Sequence, residues 1–335
     1  MGVIISLIAV IILFFIGYIG SGIPVVFGII LPYLAILIFL VGIVIRIIRW
    51  AKSPVPFNIT TTTGQQKSLD FIRQNKLDNP HSTLGVLGRM ALEILFFRSL
   101  FRNTKAELKE GPKLAYGSNK WLWLFGLIFH WSFLIIVLRH FRFFTDPVPV
   151  FVPFLQGIDE FFQIGVPIIY ITNVLIIAGI TFLFFRRIFD SKVRYISLPS
   201  DYFPLLLIAG IAISGIWMRY IDKVNLKAIK QLALGIFSFN PVSISVLTDI
   251  EPLFYAHFFL VCTLLIYFPM SKLIHMPGIF MSPTRNLPNN NRMKRHINPW
   301  NPDVEVHTYE EYEDEFRSVM KAAGIPLEKE EKDVK

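Results

Sequence analysis

Apolar residues in this chain come in long unbroken runs, and six of the runs approach the roughly 20 residues that a helix needs to cross the hydrocarbon core of a bilayer. They are Val3 to Ile19, Val25 to Ile48, Trp121 to Phe143, Gly165 to Phe185, Tyr202 to Tyr220 and Pro252 to Ile274. Gly20-Ser21-Gly22-Ile23-Pro24 reads as a tight turn joining the first two as antiparallel helices. Between the second and third, Thr83 to Phe101 sets apolar residues at helical spacing around Arg89, Glu93 and Arg98, the pattern of a helix lying in the interface. Lys223 to Leu234 reads as another surface helix. The tail from Met276 is polar, with turns at Pro283, Pro288, Pro299 and Pro302, and Tyr309 to Ala323 forms an acidic helix candidate.

The predicted fold class is therefore an all-α integral membrane protein of six transmembrane helices. Two N-terminal helices fill 1–50, a loop with the interfacial helix fills 51–119, a four-helix bundle fills 120–275, and the tail 276–335 docks a soluble subunit. Composition agrees, with 53% apolar residues and a mean hydropathy of +0.54 over 335 residues, above the usual share of a soluble domain. The start, Met1 to Gly20, lacks a basic flank and a small-residue cleavage site and is expected to stay as the first span.

Charge sets an orientation. The 33 Lys and Arg against 24 acidic residues would suit nucleic acid, but most of the excess flanks the apolar runs, so a lipid bilayer and no nucleic acid is the expected partner. Arg46, Arg49 and Lys52 follow span two, Lys105, Lys109, Lys113 and Lys120 precede span three, and Arg186, Arg187, Lys192 and Arg194 follow span four. Placing these groups in the cytoplasm puts both termini there, in a multi-pass protein of the cytoplasmic membrane. Arg139, Arg142, Arg219 and Lys223 then fall outside.

Candidate chemistry rests on four histidines. His130 and His140 lie in span three, and His257 and His275 bracket span six. An imidazole in hydrocarbon needs a partner, and two bis-histidyl haem b groups would use all four as iron ligands. With span three running outward and span six inward, His130 pairs with His275 on the cytoplasmic side and His140 with His257 on the outer side. The spacings differ: ten residues, about 15 Å, in one helix and eighteen, about 27 Å, in the other, so tilted helices or tilted haem planes are expected. Cys262 is the single cysteine, which leaves no intrachain disulfide, no cysteine-ligated cluster and no covalent haem attachment. Propionates call for cations: Arg139, Arg142 and Arg219 are placed for the outer haem, and Lys272, Arg89 and Lys120 for the inner one. Quinol oxidation calls for a base; among the outer acids Asp146, Asp159, Glu160, Asp249 and Glu251, the two that abut apolar runs, Glu160 and Glu251, are the candidate proton acceptors.

Histidines ten apart in one span and eighteen apart in a later one resemble the pattern of the nitrate reductase gamma subunits, di-haem cytochromes b with five spans. That resemblance implies the same pairing, first histidine with last and the inner two together. The chain departs from that pattern by an added first span, the loop 51–119 and the long tail. Trp50-Ala51-Lys52-Ser53-Pro54-Val55-Pro56, Gly64-Gln65-Gln66-Lys67-Ser68, Asn75-Lys76-Leu77-Asp78-Asn79-Pro80, Phe280-Met281-Ser282-Pro283-Thr284-Arg285-Asn286, Arg295-His296-Ile297-Asn298-Pro299-Trp300-Asn301 and Glu311-Tyr312-Glu313-Asp314-Glu315-Phe316 resemble a narrower group. These are the cytochrome b subunits of the sulfite-reductase-associated and heterodisulfide-reductase-like menaquinol-oxidising membrane complexes. The resemblance implies an electron-transfer subunit of a menaquinol oxidoreductase in sulfate or sulfite respiration. Its expected partners are menaquinol, a cytoplasmic heterodisulfide-reductase-like iron–sulfur subunit, and other membrane and extracytoplasmic subunits of the same complex. Trp300, Tyr309, Tyr312 and Phe316 would suit the docking interface. The alternatives are a proton-coupled transporter, which would need acidic partners buried in spans four and five, and a purely structural membrane anchor.

Overall fold

A computed structural model describes residues 1–53, 64–111, 113–160, 168–294 and 305–328. Among them, six helices are long and apolar enough to cross a membrane. The first, α1 (Gly2–Ile19), turns through Gly20–Gly22 and a π-helical turn, Val26–Ile30, into α2 (Leu31–Ala51). α3 (Thr83–Phe96) follows, started by the Ser82 hydroxyl accepting from the Gly85 amide, and stopped by Phe97 in the left-handed conformation. α4 (Arg98–Arg102) leads into an antiparallel hairpin of β1 (Thr104–Lys109) and β2 (Lys113–Ser118), with Thr104 opposite Ser118. Nothing in the hydropathy pattern predicted these strands, because both are short and mostly exposed.

Span three is α5 (Lys120–Phe144), followed by the short α6 (Phe151–Asp159). Span four is α7 (Ile171–Phe189), which starts later and ends later than hydropathy sets it; 168–170 are not helical, and the expected start at Gly165 lies outside the described residues. α8 (Ser191–Ile196) is capped by the Asp190 carboxylate and leads to span five, α9 (Pro199–Tyr220), with proline at its first position and Asp201 Oδ2 accepting from the Leu198 amide. α10 (Leu226–Phe237) is the expected surface helix, capped by Asn225, and α11 (Ile244–Thr248) precedes α12 (Pro252–Tyr267).

Span six is not one helix to Ile274. Pro269 lacks an amide donor and its ring crowds the preceding turn, so α12 gives way to two 3-10 turns, Phe268–Met270 and Lys272–Ile274, with extended Ser271 between them. α13 (His275–Phe280) and α14 (Pro283–Asn286) follow. Residues 276–293 belong to the same compact unit as the bundle, so the structural boundary falls later than the expected 275/276. α15 (Tyr309–Ala322) belongs to a second compact unit. Its start is a capping box between Thr308 and Glu311, which also holds the exposed Glu311 carboxyl below its usual range.

Within the first unit, α5 packs on α7, α7 on α9, and α9 on α12, while α1 fits between α9 and α12 and α2 lies against α12. Small residues permit the closest approaches: a Cβ on Gly17 would stand 2.8 Å from the Ala256 backbone, and one on Gly179 would stand 3.1 Å from Phe129 Cβ. The helices alternate in direction. At one end, here the near end, Gly2 meets Pro199, Gly42 meets Pro269, and the Tyr267 hydroxyl donates to Ser200 O at 3.4 Å. At the far end, Gly17 meets Ala256 and the Tyr220 hydroxyl donates to Ile168 O at 3.1 Å. Because α2 finishes and α5 begins at the near end, the stretch between them, α3 included, makes no net crossing.

Candidate functional site

α5, which carries His130 and His140, and α12, which carries His257, stand at opposite ends of the arc α5–α7–α9–α12 and share no extensive packing among the described residues, while His275 opens α13 just beyond α12. Two of the histidines nevertheless meet. At the near end the His130 and His275 rings lie 5.8 Å apart between centroids, at 83° to each other. Toward the far end His140 lies within the last two turns of α5 and His257 within the first two turns of α12. The unequal sequence spacings are reconciled by Pro269. From His257 to the end of α12 is ten residues, about 15 Å of axial rise, the same as from His130 to His140. The remaining residues turn aside, so a tilt is not what matches the two sides, and His257 and His275 do not share one continuous helix face.

Each imidazole is oriented through Nδ1. His130 Nδ1 donates to Gly126 O at 2.7 Å, His140 Nδ1 to Ile136 O at 2.7 Å, and His275 Nδ1 to Lys272 O at 3.1 Å. His257 Nδ1 lies 2.9 Å from Ser214 Oγ, which is itself 2.7 Å from Gly210 O and 3.1 Å from Ile211 O; with the hydroxyl donating to a carbonyl, it accepts from the ring. A proton on Nδ1 leaves the Nε2 lone pair free on all four rings, the tautomer an imidazole needs to bind a metal, with the supporting partner that metal-bound histidines ordinarily have.

The surroundings fit a flat, apolar, iron-centred group. Two imidazoles about 2 Å from one iron would stand roughly 6 Å apart, which the near pair matches. His130, His140 and His275 keep accessible surface, whereas His257 is half-buried. Gly126, one turn before His130, is buried, yet a Cβ there would meet nothing within 4 Å. Phe97 and Phe129 stand edge-on to His130 at 5.0 and 5.1 Å. Among the described residues, no three His, Cys, Asp or Glu side chains converge as a metal cluster would require.

The far-end cations are built into a layered cluster. The Tyr170 ring is fully buried between two guanidinium groups, Arg139 at 3.4 Å and Arg219 at 4.0 Å from its centroid. Arg139 also pairs with buried Asp159, which accepts from the Thr172 amide at 2.8 Å and from the Thr172 hydroxyl at 2.6 Å. Arg139 Nε stays buried with no hydrogen-bond partner among the described residues. Arg142 donates to Gln156, and Gln156 donates to Glu160 at 2.7 Å. Arg219 forms no ion pair among the described residues and is exposed. Burial pushes the Glu160 carboxyl up, but Tyr170, Gln156, Arg219 and Arg139 together bring it below the usual carboxylate range. Glu251 sits at the start of α12 and accepts from the Asn225 amide at 2.9 Å, joining α10 to α12.

At the near end, Lys272 is paired with Asp201 at 2.8 Å, one turn before His275. Arg89 and Lys120 serve other ends. Arg89 is 2% exposed and donates to the backbone oxygens of Asp78, Arg285 and Leu287, and Lys120 lies over the Phe101 ring. Sequence reading missed Ser214, Tyr170 and Phe97 as parts of the site. The run Ser214-Gly215 inside an otherwise apolar span was the one available signal; a Cβ on Gly215 would stand 3.3 Å from the His257 ring.

Residues 91–294 match the family model described as nitrate reductase gamma subunit. The chain belongs to that family. It is 48% identical over 284 residues to the Hdr-like menaquinol oxidoreductase cytochrome b-like subunit of Archaeoglobus fulgidus, covering 84% of this chain and 85% of the relative. Identity to the protein of the same description from Archaeoglobus profundus is 44% over 280 residues, 82% and 83% of the two chains. The nitrate reductase gamma chain of Bacillus subtilis is 26% identical over 178 residues, 51% of this chain and 75% of that one. With six apolar helices in this family, the protein is a multi-pass membrane protein.

Proposed function

We propose that the chain is the di-haem b membrane subunit of a respiratory complex, exchanging electrons between menaquinol and a cytoplasmic heterodisulfide-reductase-like iron–sulfur subunit in sulfate or sulfite respiration. The observation that carries this is the convergence of four imidazoles, each with Nδ1 engaged and Nε2 free, on two levels of a membrane bundle. His130 with His275 would hold one group at the near, cytoplasmic end, and His140 with His257 the other toward the far, outer end. Bound haem b supplies one-electron redox chemistry. Arg139, Arg142 and Arg219 offer cations to outer propionates, with Arg219 the least committed to other partners. Lys272 offers a cation to the inner ones, shared with Asp201.

Glu160 and Glu251 are the proposed quinol proton acceptors at the far end. Glu160 is ionised at neutral pH and so has a lone pair to accept a proton, although its lowered affinity makes it a weaker base than an ordinary carboxylate. The proton-relay alternative asks for acidic partners in the membrane, whereas His257 is held by Ser214. Both termini are placed in the cytoplasm, and the region 51–119 and tail 276–335 are proposed to meet the soluble subunit; Trp300 of that surface lies outside the described residues. The remaining partners are further membrane and extracytoplasmic subunits.

The test is a haem determination with a redox-difference spectrum on the purified chain made with ample haem. Two haem b per chain are expected, and none would end the reading. Glu160→Gln or Glu251→Gln should slow haem reduction by a menaquinol analogue at unchanged haem content; normal kinetics in both would move the quinol site elsewhere.

A further inference from the structure

α3 is built inside out. Its charged side chains, Arg89 and Glu93, turn inward: Arg89 is buried against three backbone oxygens, and Glu93 accepts from the Ser99 amide at 3.1 Å and pairs with Arg285 at 3.3 Å. Its outward side carries Leu84, Leu87, Ala91, Ile94 and Leu95, with Leu84 81% and Leu87 60% exposed and no charged side chain among them. These positions recur at three- and four-residue intervals, so they form one stripe along the helix. In water each exposed leucine would forfeit the free energy gained by covering its apolar surface.

The position of the helix says what covers the stripe. Its last turn is fastened to α5, a membrane span: Trp123 Nε1 donates to Phe96 O at 2.7 Å and Trp131 Nε1 to Leu95 O at 3.0 Å. Beyond Trp131, the exposed Leu134 and Val137 of α5 continue the apolar surface. After the left-handed turn at Phe97 the chain returns through α4 to Phe101, which packs on Trp123 at 4.8 Å and lies under Lys120, a cation where a bilayer interface would be. We propose that α3 lies in the near leaflet with this stripe in lipid, entering and leaving on the same side. Its inward charges then fasten two polar segments to the membrane plane. Asp78 pairs with Arg98 and Arg102, and Asn289 bonds Pro80 O at 2.7 Å and Asn79 Oδ1 at 2.6 Å. A soluble partner would thus meet a platform held by lipid, independent of any haem.

The full chain in nanodiscs, with nitroxide on Leu87→Cys and separately on Ala91→Cys, tests this by collision with oxygen and with a nickel chelate. Native Cys262 is buried and stays in place. Oxygen collisions are expected to exceed nickel collisions several-fold at both positions, as at Leu134→Cys on α5, with the order reversed at Phe71→Cys, which is 84% exposed in the preceding loop. Nickel in excess at Leu87 and Ala91 would show the stripe in water and overturn the proposal. Low collision with both reagents would show it covered by protein, from a second copy of the chain, and would overturn it equally.

Discussion

The two histidine pairs are held by different means. Toward the far end, His140 and His257 sit inside regular helices, and Ser214 on a third helix fixes the His257 ring. At the near end only His130 is on a regular helix; His275 follows a proline break, opens a six-residue helix and is exposed. One clamp is thus set by residues inside three spans, of which α9 and α12 pack directly on each other. The other depends on a turn, on Phe97 from the α3–α4 corner and on the Asp201–Lys272 pair. A helix interior holds a ring by geometry that packing makes stiff, whereas a turn holds it by a few specific contacts. The near pair is therefore the one that substitutions outside the spans can disturb.

The largest expected effect separates the two ends. His257→Ala and His130→Ala should each halve the haem-to-protein ratio, and a loss of all haem from either would mean that the sites are not independent. Next, Pro269→Ala should let α12 run on, swing His275 away and remove most of the near-end signal while the far-end spectrum stays; an unchanged near-end signal would show that the break is not what places His275. Ser214→Ala should act only at the far end, lowering haem affinity there by roughly 10- to 100-fold, the range for removing a partner of a metal-bound imidazole, as read by haem retention on dilution. Equal loss at both ends would remove Ser214 from the account.

The smallest effect lies outside both clamps. Burial pushes the Asp78 carboxyl up, but Arg98 and Arg102 outweigh it and hold it below the ordinary value of 3.8. A lowered folded-state value stabilises at neutral pH, and that contribution is lost as pH falls through the folded value, below about 4. Asp78→Asn should reproduce the acid effect at neutral pH, costing about 1.5–3 kcal/mol, less what the exposure of Arg102 screens. Faster proteolysis of residues 64–102 with intact haem content is the expected outcome, and unchanged cleavage would show that the pair does not hold the loop.

Much of the fold was legible in the chain because crossing a bilayer forces long apolar helices with basic flanks, and that requirement is written residue by residue. The six apolar helices and the helices α3, α10 and α15 all follow from such local patterns. The proximity of His130 and His275 was equally open to reading, since helix direction alone decides which ends meet. What hydropathy could not reveal was a break inside an apolar run: Phe268 to Ile274 stays apolar enough to span, and only the proline at 269 with its missing donor redirects it. The β-hairpin escaped for the opposite reason, being short and polar.

The sequence by itself determined that this is a membrane bundle with imidazoles in two of its spans, because solvation by lipid acts on each segment separately. Only the tertiary structure decided what surrounds those imidazoles. Ser214 beside His257, Phe97 beside His130, and Tyr170 between Arg139 and Arg219 join residues far apart in the chain. Such contacts depend on helix rotation and close packing, which no local pattern encodes.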